Sequence, residues 1–186
     1  SKICGKRIKI NAEIGFVGLF KMGIEWLKEQ TIFSKNDTKE LEKSSGNYAK
    51  IGSSGYDAKI GSSGNYAQIG SSGYGAQIGS SGDDAQIGSS GNGAKIGSSG
   101  YGAKIGSSGD DAKIGSSGKN SVVMCAGNNS IAKAKIGSWI TLAEWGRDDN
   151  GDWIPINVVT KRVDGVEIKE DTYYKLVNGV FTEVDE

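Results

Sequence analysis

Sixteen serines stand in eight Gly-Ser-Ser-Gly runs, yet the chain contains no histidine. A serine hydroxyl becomes a nucleophile only when a neighbouring base takes its proton, and histidine is the commonest such base. Its absence excludes every Ser-His triad and removes the usual zinc ligand. The serines are therefore expected to form stacked hydroxyl rows, and no catalytic residue is assigned. The glycine-rich runs lack the Gly-Lys-Ser/Thr ending of a phosphate loop. Acidic residues in the repeats are confined to Asp57, Asp83, Asp84, Asp110 and Asp111, too few for a calcium-binding roll. Neither a metal nor an organic cofactor is expected. Two cysteines, Cys4 and Cys125, do not make a disulfide framework and are expected to be reduced.

The remaining chemistry is that of binding. Lys50 and Lys104 are expected on one face of the repeats, and Lys59, Lys95 and Lys113 on the other. Tyr48, Tyr56, Tyr66, Tyr74 and Tyr101 fall at turn edges. Lysine beside exposed aromatic rings can grip a phosphate backbone and stack bases, so direct nucleic-acid binding is one expectation. The bland alternative is that the lysines keep the sheet faces soluble. The net charge is zero, but its distribution is uneven. Residues 1–46 carry nine basic and six acidic side chains, whereas residues 138–186 carry five basic and eleven acidic. Within that acidic tail Asp148, Asp149 and Asp152, with Asp164, Glu167, Glu170 and Asp171, could mimic phosphates in the basic cleft of a protein partner. Ice binding is disfavoured, because the repeats contain no threonine.

These groups are positioned by a repeat. From Asn47 to Gly118 eight nonapeptides follow the pattern x-x-Ala-(Lys/Gln)-Ile-Gly-Ser-Ser-Gly. A ninth, KNSVVMCAG, is degenerate, and a tenth begins at Asn128 and breaks down. Ala, Ile and the first Ser recur at i, i+2 and i+4, which is strand alternation with one face small-large-small. The closing Gly and the two variable residues make the turn. A single short strand cannot bury its own face, so the units must stack. Two units per coil, or 18 residues, place Tyr48 over Tyr66 and Tyr56 over Tyr74. A 27-residue echo, seen in Tyr74-Gly75 with Tyr101-Gly102, competes with that choice, and 18 is favoured. The fold class is mainly β, a parallel β-solenoid of about four coils. Its core is the column Ile51, Ile60, Ile69, Ile78, Ile87, Ile96, Ile105 and Ile114, continued by Val123.

Three segments follow: a cap at 1–46, the solenoid at 47–137 and an acidic β domain at 138–186. In the first, 6–14 reads as a strand and 16–30 as an amphipathic helix. Asp37 is placed to cap a short helix through Lys43. In the last, 138–145 and 152–163 read as strands, with turns at Asp149-Asn150-Gly151, Asp164-Gly165 and Asn178-Gly179. These make a β-meander whose Trp139, Trp145 and Trp153 are expected to pack on the last coil. No apolar run is long enough to span a bilayer and no secretory apolar segment occurs. The expected location is the cytoplasm of a bacterial host cell, without a membrane partner.

The tandem xxAKIGSSG units, followed by NNSIAKAKIGSWITLAEW and DTYYKLVNGVFTEV, resemble proteins of gut Firmicutes and their phages that carry GSSG nonapeptide repeats and a short tail. The resemblance covers about 47–184; the head is shorter than usual. It implies a small phage or mobile-element protein that inhibits a host defence, of the anti-CRISPR type. The implied partner is a bacterial defence nuclease, Cas9-like, or its guide-RNA complex. The unit also resembles the rolls of adhesin heads, which implies the alternative of a structural or adhesive module on a phage particle or cell surface.

Overall fold

The computed structural model describes residues 32–34 and 41–185, and every described element is a strand. The strand expected at 6–14, the helix at 16–30 and the cap at Asp37 lie outside the described residues. Chain order gives β1 (Ile32–Ser34), β2 (Leu41–Ser44), β3 (Lys50–Ser53), β4 (Lys59–Ser62), β5 (Gln68–Ser71), β6 (Gln77–Ser80), β7 (Gln86–Ser89) and β8 (Lys95–Ser98). Then come β9 (Lys104–Ser107), β10 (Lys113–Ser116), β11 (Val122–Cys125), β12 (Ile131–Lys133), β13 (Trp139–Arg147), β14 (Trp153–Arg162), β15 (Tyr173–Val177) and β16 (Val180–Val184).

Successive units alternate between two sheets. The first runs β1-β3-β5-β7-β9-β11-β13-β14 and the second β16-β15-β12-β10-β8-β6-β4-β2. Each repeat pairs in parallel with the unit 18 residues away, Ile51 with Ile69 and Ile60 with Ile78. The coil is therefore 18 residues, and the 27-residue echo carries no register. Inside, the Ala and Ile rows are almost wholly buried and form one core.

The turns explain the variable pair. Its second residue is left-handed in all eight repeats: Tyr48 (φ 60), Asp57, Tyr66 (φ 59), Asp84 and Asp111 among non-glycines, Gly75, Gly93 and Gly102 among glycines. When the first is Asn or Asp, its side chain accepts the backbone N–H one coil on. Asn65 N–H donates to Asn47 Oδ1 at 3.0 Å, Asp83 N–H to Asn65 Oδ1 at 3.0 Å, and Tyr101 N–H to Asp83 Oδ1 at 2.8 Å. The closing glycine is steric. A Cβ on Gly91 would lie 1.9 Å from the Gly73 carbonyl oxygen of the coil before.

The roll is longer than four coils. Six parallel strands, β2 to β12, stack in the second sheet. Leu41–Ser44, expected to belong to a short helix, is a strand in register with β4, and Glu42 occupies the isoleucine position opposite Ile60. At the other end the broken tenth unit still folds as a coil, with Ser130, Ala132 and Ala134 inward. β13 follows it, parallel to β11, with Val122 opposite Trp139. That spacing is 17 rather than 18, and the one-residue deletion falls at the turn through Gly137 (φ 88).

The described residues 41–185 belong to one compact unit. The tail is not one meander but two antiparallel hairpins, one on each sheet: β13–β14 on the first and β15–β16 on the second. Asp164-Gly165 is consequently not a hairpin turn. It opens the crossing from one sheet to the other, and Val163, Ile168 and Tyr174 from this region are buried against the last coils. Trp139 and Trp153 are exposed rather than packed: Trp139 is outward, opposite Val122, and Trp153 stands beyond the β-bulge at Glu144 and Trp145, where the first four residues of β14 are all exposed and Arg147 covers its ring. Trp145 alone reaches back, its indole N–H donating to the Ala126 carbonyl at 2.7 Å.

Candidate functional site

The described surface offers three kinds of group: tyrosines on the turns, lysines on the sheet faces and carboxylates in the tail. The tyrosines separate by edge. Tyr48, Tyr66 and Tyr101 belong to the turns that enter the first sheet, Tyr56 and Tyr74 to those that enter the second. Tyr48 and Tyr66 are stacked, with ring centroids 5.0 Å apart and planes 9° from parallel. Tyr56 and Tyr74 are 6.3 Å apart and tilted by 36°. Tyr101 is fixed by Asn120, whose side-chain amide donates to its hydroxyl at 2.7 Å. All five rings are exposed.

The lysines separate by sheet, as their spacing predicts. Lys50 and Lys104 lie on the first, with Lys104 3.7 Å from Asp84. Lys59, Lys95 and Lys113 lie on the second, in one row with Gln77. Beside that row runs a second one of Gly61, Gly79, Gly97 and Gly115. These glycines face outward and leave an open trough along the sheet, lined by Ser81, Lys133 and Tyr173 among others. Tyr173 closes its lower end. The Lys113 ammonium lies 4.5 Å and the Lys133 ammonium 4.4 Å from its ring centroid, a cation–π contact with two cations.

Tyr56, Tyr74, Lys59, Lys95 and Lys113 thus belong to one side of the roll, at or beside the second sheet. Tyr48, Tyr66 and Tyr101 lie on the other edge, and Asp148, Asp149 and Asp152 on the β13–β14 turn. Asp148 is occupied within that turn. It accepts the N–H groups of Asn150 and Asp152, each at 2.9 Å, and the Asp152 bond leads in holding its carboxyl below the usual range. Glu144 is used in the same way. The Asn157 amide and the Gly179 and Asn178 N–H groups converge on it and depress its pKa, tying the two tail hairpins together. Cys125 takes the place of an inward serine, and burial pushes its thiol up to about 12. Such a thiol is neither a nucleophile nor a metal ligand at neutral pH. No group of carboxylates, cysteines or histidines able to hold a metal occurs among the described residues.

Sequence spacing missed Lys43, Lys133 and Lys175, which lie outside the perfect repeats. It also missed Tyr173, which reaches the trough from the tail. Only strand register could place them. Comparison with protein families, with curated proteins and with solved structures finds no match.

Proposed function

We propose that this protein is a non-enzymatic binding module that acts by covering the surface of a macromolecular partner, and that its tyrosine edges make the contact. One observation carries the reading. Tyr48 and Tyr66 occupy left-handed turn positions that the fold elsewhere fills with Asp, Asn or Gly, and they remain 67% and 45% exposed there. A bulky residue with positive φ is strained, by about 1 kcal/mol or more. Tyr56 and Tyr74 stand where Asn or Asp would make a bond to the next coil. Departures from a local rule without a gain in burial point to a surface kept for contact.

The resemblance to phage and mobile-element proteins supplies the direction: an inhibitor of a bacterial defence nuclease, with a Cas9-like enzyme or its guide-RNA complex as lead target. Target-DNA cleavage by such a guide-loaded nuclease, measured with and without the purified protein, tests this. Inhibition by wild type should fall at least tenfold in Y48N/Y66N or Y56N/Y74N. Asn suits both turn positions, so the melting temperature should hold or rise. Absence of inhibition by wild type would overturn the nuclease target, and unchanged inhibition by both variants would overturn the tyrosine edges.

A second reading, a structural or adhesive module, is favoured by β14. This last strand of the first sheet leaves Trp153, Ile154, Ile156 and Val158 exposed. A stable oligomer by light scattering, lost in I156K/V158K, would support it.

A further inference from the structure

The chain is neutral, but its two sheet faces are not alike. In the second sheet β2 presents Lys43 outward, β4 Lys59, β8 Lys95, β10 Lys113, β12 Lys133 and β15 Lys175, as the register requires. No Asp or Glu occupies an outward position on the described strands of that sheet. Its two carboxylates take inward register positions: Glu42 lies in the core column, and Glu183, opposite Tyr174, pairs with Lys169 at 2.8 Å. Asp171, at the lower end of the trough, is held by Lys135. The first sheet differs. It presents Lys50, Lys104 and Arg162, with Lys104 beside Asp84, and its lower half is Val122, Met124 and Trp139. Six lysines on six of seven successive strands, at about 4.8 Å per strand, make a basic stripe roughly 29 Å long.

We infer that this stripe binds single-stranded nucleic acid. The inference rests on the reading of the chain as a binding module and assigns one face a ligand class. Charge complementarity calls for a linear polyanion, because the lysines continue along the roll rather than gather at a point. Two features favour bases over acidic side chains. The glycine trough leaves room for a flat ring at the sheet, and the protein's own Tyr173 already uses it: its hydroxyl lies 3.3 Å from where a Cβ on Gly115 would stand, and its ring meets the Lys113 and Lys133 ammonium groups. Tyr56 and Tyr74 stand on the turns that lead into Lys59 and Gln77, so exposed stacking faces border the same stripe. Lysine rows with bordering aromatic rings are the general means of holding a single strand without sequence preference.

The test uses the full chain and a labelled 20-nucleotide oligouridine, read by fluorescence anisotropy. The variant K59Q/K95Q/K113Q copies the glutamine that the chain itself carries at Gln77, and K50Q/K104Q is the control on the other sheet. Engagement of about four lysines predicts that affinity falls roughly 50-fold between 50 and 200 mM salt. The triple variant should lower the logarithmic salt slope by roughly 2, and the control by much less. Y56N/Y74N should weaken binding at least roughly fivefold. No binding by wild type, equal loss in both lysine variants, or equal affinity for polyglutamate of matched charge would overturn the assignment. Oligouridine binding without nuclease inhibition would sink the nuclease target alone, and inhibition without oligouridine binding would sink only this face's ligand.

Discussion

In the repeat body one nonapeptide solves the same packing problem coil after coil, whereas from residue 128 to the end each strand solves it differently. The body stacks identical residues on one another, so every requirement is met once and copied. Its core holds isoleucine, alanine and serine and little else. The C-terminal region must stop the stack. It does so with a deleted residue at Gly137, a crossing between the sheets, and large side chains such as Tyr174, Leu176 and Phe181. Its polar groups are tied individually. The Asp164 carboxylate accepts the N–H groups of Val166, Glu167 and Ile168, and the Tyr174 hydroxyl accepts that of Lys169. Repetition makes a solenoid extensible; termination needs residues used once.

The sharpest way to break the body is to disturb a requirement that repetition cannot relax. Gly91 and Gly88 are three residues apart in one unit. A Cβ at Gly91 would meet the Gly73 carbonyl at 1.9 Å, backbone against backbone, whereas a Cβ at Gly88 would meet nothing within 4 Å. Gly91→Ala should cost about 3 kcal/mol or more, and Gly88→Ala should stay within about 0.5 kcal/mol of wild type. Urea unfolding of both variants measures the pair. Equal costs would mean that the coils are not stacked at this spacing.

Acid should divide the two regions in the opposite sense. Asp164 and Glu183 have carboxyl groups held below their ordinary pKa, Asp164 chiefly by the Val166 N–H and Glu183 chiefly by Lys169. Asp148 and Glu144 are depressed too. A carboxylate with a lowered folded pKa contributes stability above its unfolded value and loses it as pH falls through the folded one. The tail hairpins should therefore loosen below about pH 4 while the repeat strands keep their pairing. Amide exchange by mass spectrometry at pH 5 and pH 3, corrected for intrinsic rates, reads the difference. Uniform loss of protection along the chain would contradict it.

The body was legible because its period is also its geometry. Alternation of Ala, Ile and Ser names the inward face, and the Tyr48–Tyr66 and Tyr56–Tyr74 spacing names the coil. The tail was less legible, for local reasons. Ser138, Ile140 and Leu142 still alternate inward, but the deletion at Gly137 breaks the count that would reveal it. Nothing near Asp164-Gly165 signals that the chain changes sheets, so the hairpin turns at 149–151 and 178–179 were readable and this crossing was not. The tryptophans misled because size suggests burial, while strand parity points Trp139 outward and Trp153 lies past the bulge at Glu144 and Trp145, where the strand has run beyond the core. The lysine stripe hid for a related reason: half its members, Lys43, Lys133 and Lys175, belong to no repeat.

The smallest expected effect separates the regions by a single hydroxyl. In the body Ser71, Ser80, Ser89 and Ser98 point inward, and their Oγ atoms have no hydrogen-bond partner. Toward the tail the hydroxyls are engaged. Ser116 Oγ donates to Ser121 Oγ at 2.8 Å, Ser130 Oγ accepts the Ala112 N–H at 3.1 Å, and Ser138 Oγ accepts the Ser121 N–H at 3.0 Å. A buried hydroxyl without a partner carries its desolvation cost uncompensated, so removing it is neutral or favourable. The chain makes similar exchanges itself, with Cys125 and Ala134 at inward serine positions. Ser80→Ala should leave stability unchanged or raise it by up to about 1 kcal/mol, whereas Ser138→Ala should cost about 1–2 kcal/mol by orphaning a buried N–H. Thermal unfolding of the two variants decides it. A loss at Ser80 as large as that at Ser138 would show that the body's serine rows are bonded too, and the contrast between copied and individually tied polar groups would fall.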